Sequence, residues 1–364
     1  MKVRSHLSDR VDRLFGLKAV HRLPAVLVTT QPDVFYFTHF TGDDSWALLT
    51  PRKTTIFTDG RYTLQAQQQA PHARTIVRKG PMVKYLIGAL KKSGIRRVGF
   101  VAEDVSVDLM DRLHQSGKAV TWRSVAKNNI LELRQIKSAT ELSRIRQALT
   151  IAQKSFLGLL RHLKPGMTEA QAAAELEYRM RSAGAEKSAF DIIVADGRNS
   201  AKPHASATSA KLRAGQPIVI DFGARVGQYC CDLTRTVWLG TMSPRFREIY
   251  KICLEAQWAA IARIRTGVPA AEIDQAARKV IARAGYGRYF VHSVGHGIGL
   301  DVHEPPALHA KSDAILQDGM VVTVEPGIYI PGTGGVRIED DVLVQSRGCR
   351  VLSDLPKDID HVVL

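Results

Sequence analysis

Asp221, Asp232, His296, Glu325 and Glu339 punctuate the second half of the chain, each beside a glycine or in a strand-like apolar run. Four carboxylates and one imidazole are donors enough for two divalent cations side by side, an arrangement that activates water for hydrolysis. Asp221 ends the apolar run Ile218-Val219-Ile220. An uncompensated carboxylate buried there would cost on the order of several kcal/mol, so it calls for a cation. The mixed oxygen and nitrogen donor set suits manganese, cobalt, zinc or iron better than calcium; ligand type alone does not choose among these, and manganese is the first expectation.

Two hairpins must bring these groups together. Residues 218–236 read as a hairpin with a two- or four-residue loop centred on Val226-Gly227. That register sets Asp221 directly opposite Asp232, with Cβ atoms about 4.5–5.5 Å apart. Residues 321–339 read as a second hairpin over the Gly332-Thr333-Gly334-Gly335 turn. Simple pairing there would oppose Glu325 to Asp340, so a bulge near Pro326 is expected to bring Glu325 and Glu339 to one face. Between the hairpins, His292, His296 and His303 fall in a glycine-rich stretch. Arg337 alternates with Glu339 along a strand and shares its face, where it could steady a carboxylate or meet an anionic substrate, the ion-pair role being the stronger expectation.

The elements around these hairpins define the organisation. Residues up to about 130 alternate short strands, at 25–28, 46–49, 55–57, 75–77 and 97–101, with helical stretches. A boundary is expected near Lys127-Asn128-Asn129, because Ser138 and Glu141 form a capping box that opens a long amphipathic helix. The predicted domains are residues 1–132 and 133–364. The second contains an internal duplication. Gly166 and Gly267 each lead through an Ala-rich helix to Gly184 and Gly285, after a long helix and before a carboxylate-bearing hairpin.

Composition bounds the rest. The chain has 364 residues, 45% of them hydrophobic, enough for two cored domains. Its charged start lacks the apolar core of a secretory signal and no run is long enough for a membrane span, so a cytoplasmic protein is expected. Four cysteines at 230, 231, 253 and 349 fit buried, reduced thiols better than a disulfide scaffold, although the vicinal pair beside Asp232 could confer sensitivity to oxidation. A formal charge of +16 raises the possibility of polyanion binding. The basic residues are dispersed along the sequence without interleaved aromatics, so a solvated surface is expected and no nucleic-acid partner.

The runs Val219-Ile220-Asp221-Phe222-Gly223, Cys231-Asp232-Leu233-Thr234-Arg235-Thr236, His292-Ser293-Val294-Gly295-His296-Gly297, Thr323-Val324-Glu325-Pro326-Gly327 and Val336-Arg337-Ile338-Glu339-Asp340 resemble the Xaa-Pro peptidases, the prolidase and aminopeptidase P branch of the pita-bread metallopeptidases. The resemblance implies an α+β fold: a pita-bread domain with pseudo-twofold duplication, preceded by a smaller α/β domain. It implies two divalent metals, one bound by Asp221, both bridged by Asp232 and Glu339, the second completed by His296 and Glu325. A bridging water would be the nucleophile and Glu325 its proton acceptor. By the same resemblance His204 contacts substrate near the scissile bond, His303 meets the scissile carbonyl and His292 borders the proline pocket. For His204 a plain loop residue, and for His292 a satisfied core histidine, are the alternatives. The implied substrates are short proline-containing peptides and the implied assembly is a homodimer. After His303-Glu304 the chain reads Pro305-Pro306-Ala307-Leu308, without the arginine several prolidases carry there. The reading is therefore an Xaa-Pro aminopeptidase, with a strict Xaa-Pro dipeptidase as the alternative and a non-catalytic basic binding protein as a rival of another class.

Overall fold

Short apolar and β-branched runs, punctuated by glycine and proline, form six strands: β1 Val26–Val28, β2 Trp46–Thr50, β3 Lys53–Asp59, β4 Arg74–Arg78, β5 Arg97–Val101 and β6 Thr121–Val125. They build one sheet in the order β4-β3-β2-β1-β5-β6. Only β2 runs against the others. Val83, Leu86 and Leu90 of helix Met82–Lys92, with Leu109 and Leu113 of helix Val107–Ser116, pack with Leu27, Leu48, Phe57 and Val98 of the sheet. The five expected strands are present, and β6, with Arg123 exposed on its edge, is an addition. The computed structural model describes residues 6–364. The chain divides into Met1–Arg134 and Gln135–Leu364. Lys127-Asn128-Asn129, near which a boundary is expected, is the first turn of helix Lys127–Gln135.

In the second unit the capping chemistry works as the sequence implies. Ser138 accepts from Glu141 N while the Glu141 carboxylate takes Ser138 N at 2.8 Å, opening helix Ala139–Leu160. Thr168 and Gln171 repeat the device on helix Glu169–Ser182. Ser243 caps helix Pro244–Ile261, which leads to helix Ala270–Arg283. The duplication is visible bond by bond. Gly166 N donates to Leu212 O and Leu212 N returns to Met167 O, just as Gly267 N donates to Leu316 O and Leu316 N to Val268 O. Gly166 and Gly267 sit at φ 90° and 85° and Gly184 and Gly285 at 103° and 84°, left-handed values that fit glycine. Strands Ile193–Asp196, Pro217–Phe222 and Leu233–Trp238 follow the first helix pair, and Gly295–Gly297, Glu304–Leu308, Val321–Val324 and Asp340–Gln345 follow the second.

Both hairpin registers differ from expectation. In the first, Asp221 faces Thr234, and Val226 faces Tyr229 across a two-residue turn at Gly227-Gln228. Both turn residues have positive φ, 55° and 71°. A turn centred on Val226-Gly227 would force a β-branched valine into the left-handed region, which its side chain resists. Asp232 is consequently the diagonal neighbour of Asp221, on the same face, rather than its direct opposite. In the second hairpin no bulge occurs at Pro326. One register runs from Val321 opposite Leu343 to Ile330 opposite Gly334, which sets Glu325 across from Glu339. The turn is the three-residue Pro331-Gly332-Thr333, and the Pro326 carbonyl still accepts from Ile338 N at 3.4 Å. The register shift in this region lies instead between His296 and Gly297, against the strand that contains Pro305 and Pro306.

The first unit holds a buried ion cluster. Asp33 is fully buried and accepts from Arg134 at 2.8 Å and Lys127 at 2.6 Å. Burial pushes its carboxyl up, and the two cations more than reverse this, leaving the pKa below the ordinary value. A depressed carboxyl pKa contributes stability that is complete above the unfolded value, about 3.9, and is lost as pH falls through the folded one. Asp33→Asn should therefore cost about 3 kcal/mol in urea unfolding at neutral pH, and the gap to the parent should close as pH drops below about 4. A gap independent of pH would contradict this account.

Candidate metal centre

The glycines around His296 are a packing requirement. A Cβ at Gly295 would sit 2.0 Å from Thr323 O, and one at Gly297 would sit 2.3 Å from Pro305 O. The close approach lays His296 against the strand that leads to Glu325. Its Nε2 lies 3.4 Å from Glu325 Oε1 and 3.8 Å from Asp232 Oδ2. Donor atoms of Asp232, His296 and Glu339 all fall within 4.8 Å of one another.

Protonation states follow from these surroundings. Burial pushes Asp232 far above the usual carboxylate range, reinforced by Glu339, Asp221 and Glu325. Glu339 is raised in the same way, by burial and then by Glu325 and Asp221. Burial lifts Glu325 to about 7 against the pull of Arg337. His296 is lowered to about 4, by burial and then by His303. Its Nδ1 lies 3.1 Å from Gly297 O, a carbonyl that can only accept, so the proton sits on Nδ1 and Nε2 offers its lone pair to the carboxylates. Asp221 Oδ1 and Asp341 Oδ1 are buried without a hydrogen-bond partner. Converging carboxylates, a neutral imidazole and an orphaned oxygen on Asp221 fit divalent cations with oxygen and nitrogen ligands.

Arg337 organises the rim of this cluster. It is 3% exposed and gives four N–H bonds to protein: Asp221 Oδ2 at 2.5 Å, Tyr329 OH at 2.7 Å, Pro203 O at 3.0 Å and Thr234 Oγ1 at 3.1 Å. Thr234, opposite Asp221 in the hairpin, donates its hydroxyl hydrogen bond to Glu339 Oε2 at 2.6 Å. The ion-pair expectation for Arg337 is thus met through Asp221, and Glu339 is reached through a threonine. Thr323 Oγ1 accepts from His296 N and faces Glu325, and the Asp341 carboxylate accepts from Asp232 N.

The remaining histidines gather beside the cluster. The His303 ring centroid is 4.3 Å from that of His296, and its pKa is lowered by burial and then by His204. His204 also repels His292, which burial and Arg337 bring to about 4. His292 Nδ1 donates to Ser293 O at 2.7 Å, so Nε2 accepts from Tyr329 OH at 2.9 Å. Immediately after His303, Glu304 is clamped by Lys137 at 3.3 Å and accepts from Asp301 N. Tyr329, Thr234 and Thr323 are the site residues that sequence reasoning missed. Gly335 makes room for Tyr329, since a Cβ there would come within 2.8 Å of the tyrosine ring, but the two become partners only in the observed register. Cys230 and Cys231 are buried, and burial pushes both thiols up, Cys230 to about 12, so neither carries thiolate character.

Fold and site together define a metal-dependent hydrolase. The chain belongs to metallopeptidase family M24: residues 143–346 match that family and residues 10–136 match the creatinase/prolidase N-terminal domain. Its structure is similar to that of an X-Pro aminopeptidase from Thermotoga maritima, with 38% identity and a TM-score of 0.90 over 96% of this chain and 99% of the other. It is similar also to an Xaa-Pro dipeptidase from Bacillus anthracis, with 36% identity and a TM-score of 0.94 over 99% of this chain and 100% of the other. In sequence it is 34% identical to an Xaa-Pro dipeptidase of Pyrococcus horikoshii over 97% of this chain and 99% of the relative. The duplicated second unit is the pita-bread domain, and the protein is a metallopeptidase.

Removing Arg337 leaves Asp221 without its counter-charge and frees the Thr234 hydroxyl from its donor. Arg337→Met is expected to weaken divalent metal affinity about 10- to 100-fold, measured by competition with a chromogenic chelator. Unchanged affinity would show that the guanidinium does not organise the carboxylates.

Proposed function

We propose that the protein is an Xaa-Pro aminopeptidase with a dinuclear metal centre, releasing the N-terminal residue from peptides whose second residue is proline. The convergence of Asp232, His296 and Glu339 carries this reading, with Glu325 and Asp221 beside them and His303 in ring contact with His296. Asp221, His296 and Glu325, together with Asp232 and Glu339 between them, would hold the cations, with manganese the first choice and cobalt, zinc or iron the alternatives. Such a pair, when bound, supplies Lewis acidity and lowers the pKa of water toward about 7.

The chain's own groups supply positioning and proton transfer. Glu325 accepts the proton that water loses as the new C–O bond forms, and that proton ends on the prolyl nitrogen as the C–N bond breaks. His303, held neutral, donates an N–H to the scissile carbonyl oxygen. His204 contacts the substrate beside it. A prolyl amide has no N–H for recognition, so selection rests on shape. His292, its nitrogens already engaged by Ser293 and Tyr329, presents its ring to the pyrrolidine.

The relatives named X-Pro aminopeptidase and Xaa-Pro dipeptidase support the proline requirement, and the latter name favours a second reading, a strict dipeptidase. A dipeptidase must neutralise the terminal carboxylate of the proline itself. Arg337 is a poor candidate, because four of its N–H groups are already taken by protein. The proposal includes a homodimeric enzyme in the cytoplasm. Among the described residues no helix is long and apolar enough to cross a membrane.

After manganese reconstitution, Ala-Pro-Ala should be hydrolysed to alanine and Pro-Ala; cleavage of Ala-Pro alone would establish the dipeptidase. His303→Ala should lower kcat on the tripeptide about 10²- to 10³-fold, the usual loss for one donor to a developing oxyanion, with KM little changed. A variant with parental kcat would remove His303 from the reaction.

A further inference from the structure

The excess positive charge is concentrated in the first unit. Residues 1–134 hold 22 Lys and Arg against 11 Asp and Glu, whereas the other residues hold 29 against 24. Scattered in sequence, these cations are collected by the sheet topology. Because β2 alone is reversed, the starts of β1, β3, β4, β5 and β6 and the end of β2 lie at one end of the sheet. Arg22 precedes β1, Arg52 and Lys53 make the β2–β3 turn, and Arg74 opens β4. Lys91 and Lys92 close the helix before β5, Arg96 and Arg97 lead into that strand, and Lys118 precedes β6. All nine are exposed, and the five connections that carry them contain no Asp or Glu. The Arg97 guanidinium donates to Arg22 O at 3.3 Å, which ties two of these connections together.

The opposite end of the same sheet is different. There Asp44 and Asp59 pair with Arg61 and Arg78, and Asp33 and Asp104 pair with Lys127. One end is neutralised within the fold, and the other presents a line of cations. Six strands at about 4.8 Å spacing make that line about 24 Å long, the rise of about seven base pairs. The large apolar side chains exposed in this unit, Leu64 and Val107, follow the C-terminal ends of β3 and β5 at the neutralised end, so the basic end has none of them to insert into a bilayer. Trp122 is 9% exposed and Phe100 half-buried, which leaves neither as a platform for unpaired bases.

We infer that this end of the first unit binds the phosphodiester backbone of double-stranded nucleic acid, without reading sequence. Binding rests on phosphate neutralisation, so affinity falls steeply with salt. The activity of the peptidase site is independent of it.

The test is fluorescence anisotropy of the full chain with a DNA duplex and an RNA duplex of about 24 base pairs, between about 50 and 200 mM salt. Binding with a log–log salt slope near about −5 is expected, as for about six phosphates engaged at once. The variant R52E/K53E/R96E/R97E should weaken it by at least about 30-fold while hydrolysing peptides like the parent. R245E/R247E/K251E/R263E, the same charge change on exposed positions of the second unit, should alter affinity less than about threefold. Capture of only one of the two duplexes, lost in the first variant, supports the proposal and names the source of the phosphates. Equal losses in both variants would reduce the effect to net charge and overturn it. So would absence of duplex binding at low salt, or variant-sensitive binding only to vesicles containing phosphatidylserine.

Discussion

Too many carboxylates share one dry space in this protein, and its second unit is organised around that constraint. Burial raises the cost of ionising Asp232, Glu325 and Glu339, and the neighbouring carboxylates, Asp221 among them, add to it. Arg337 hydrogen-bonds only Asp221 among these four and reaches Glu339 through Thr234. A cluster of this kind holds protons or holds cations. His296, deprotonated at Nε2 beside Glu325 and Asp232, tilts the choice toward cations.

The duplicated fold makes that crowding affordable elsewhere. Each half clamps its helix pair to the following loop with the same reciprocal backbone bonds, then delivers a hairpin that carries two of the carboxylates. Thr234 and Arg337, one from each hairpin, cross-link them at the centre. From Arg337 the hydrogen bonds continue through Tyr329 to His292 and, in another direction, to the carbonyl before His204. Asp221, Glu339 and His292 are therefore tied into one hydrogen-bonded network, the kind of pre-organisation that placing a reacting group requires.

Much of this was legible in the sequence. Capping residues, glycine spacing and apolar alternation locate the helix pairs, the duplication and the strands that carry each candidate ligand, because those signals are local. The hairpin registers were not, because they depend on which residues occupy the turn. A one-residue displacement at Val226 or Gly332 changes every cross-strand partner while leaving the pattern of apolar residues intact. Asp221 and Asp232 still reach a common face, since side chains two apart along a strand share it, so that pair survives the wrong register. Tyr329 and Thr234 read as ordinary strand residues. Their roles come from partners about a hundred residues or less away across the fold, and nothing in a linear pattern encodes a hydroxyl's acceptor. The basic end of the first sheet was hidden for the same reason, as its charges become neighbours only through strand order.

The most direct test of the cation cage is calorimetric titration of the metal-free protein with manganese near pH 7, repeated in buffers of different ionisation enthalpy. Carboxyls held protonated by burial and mutual repulsion must surrender protons as cations enter, so release of about one proton or more per chain is predicted. Binding without proton release, or no binding, would contradict the account.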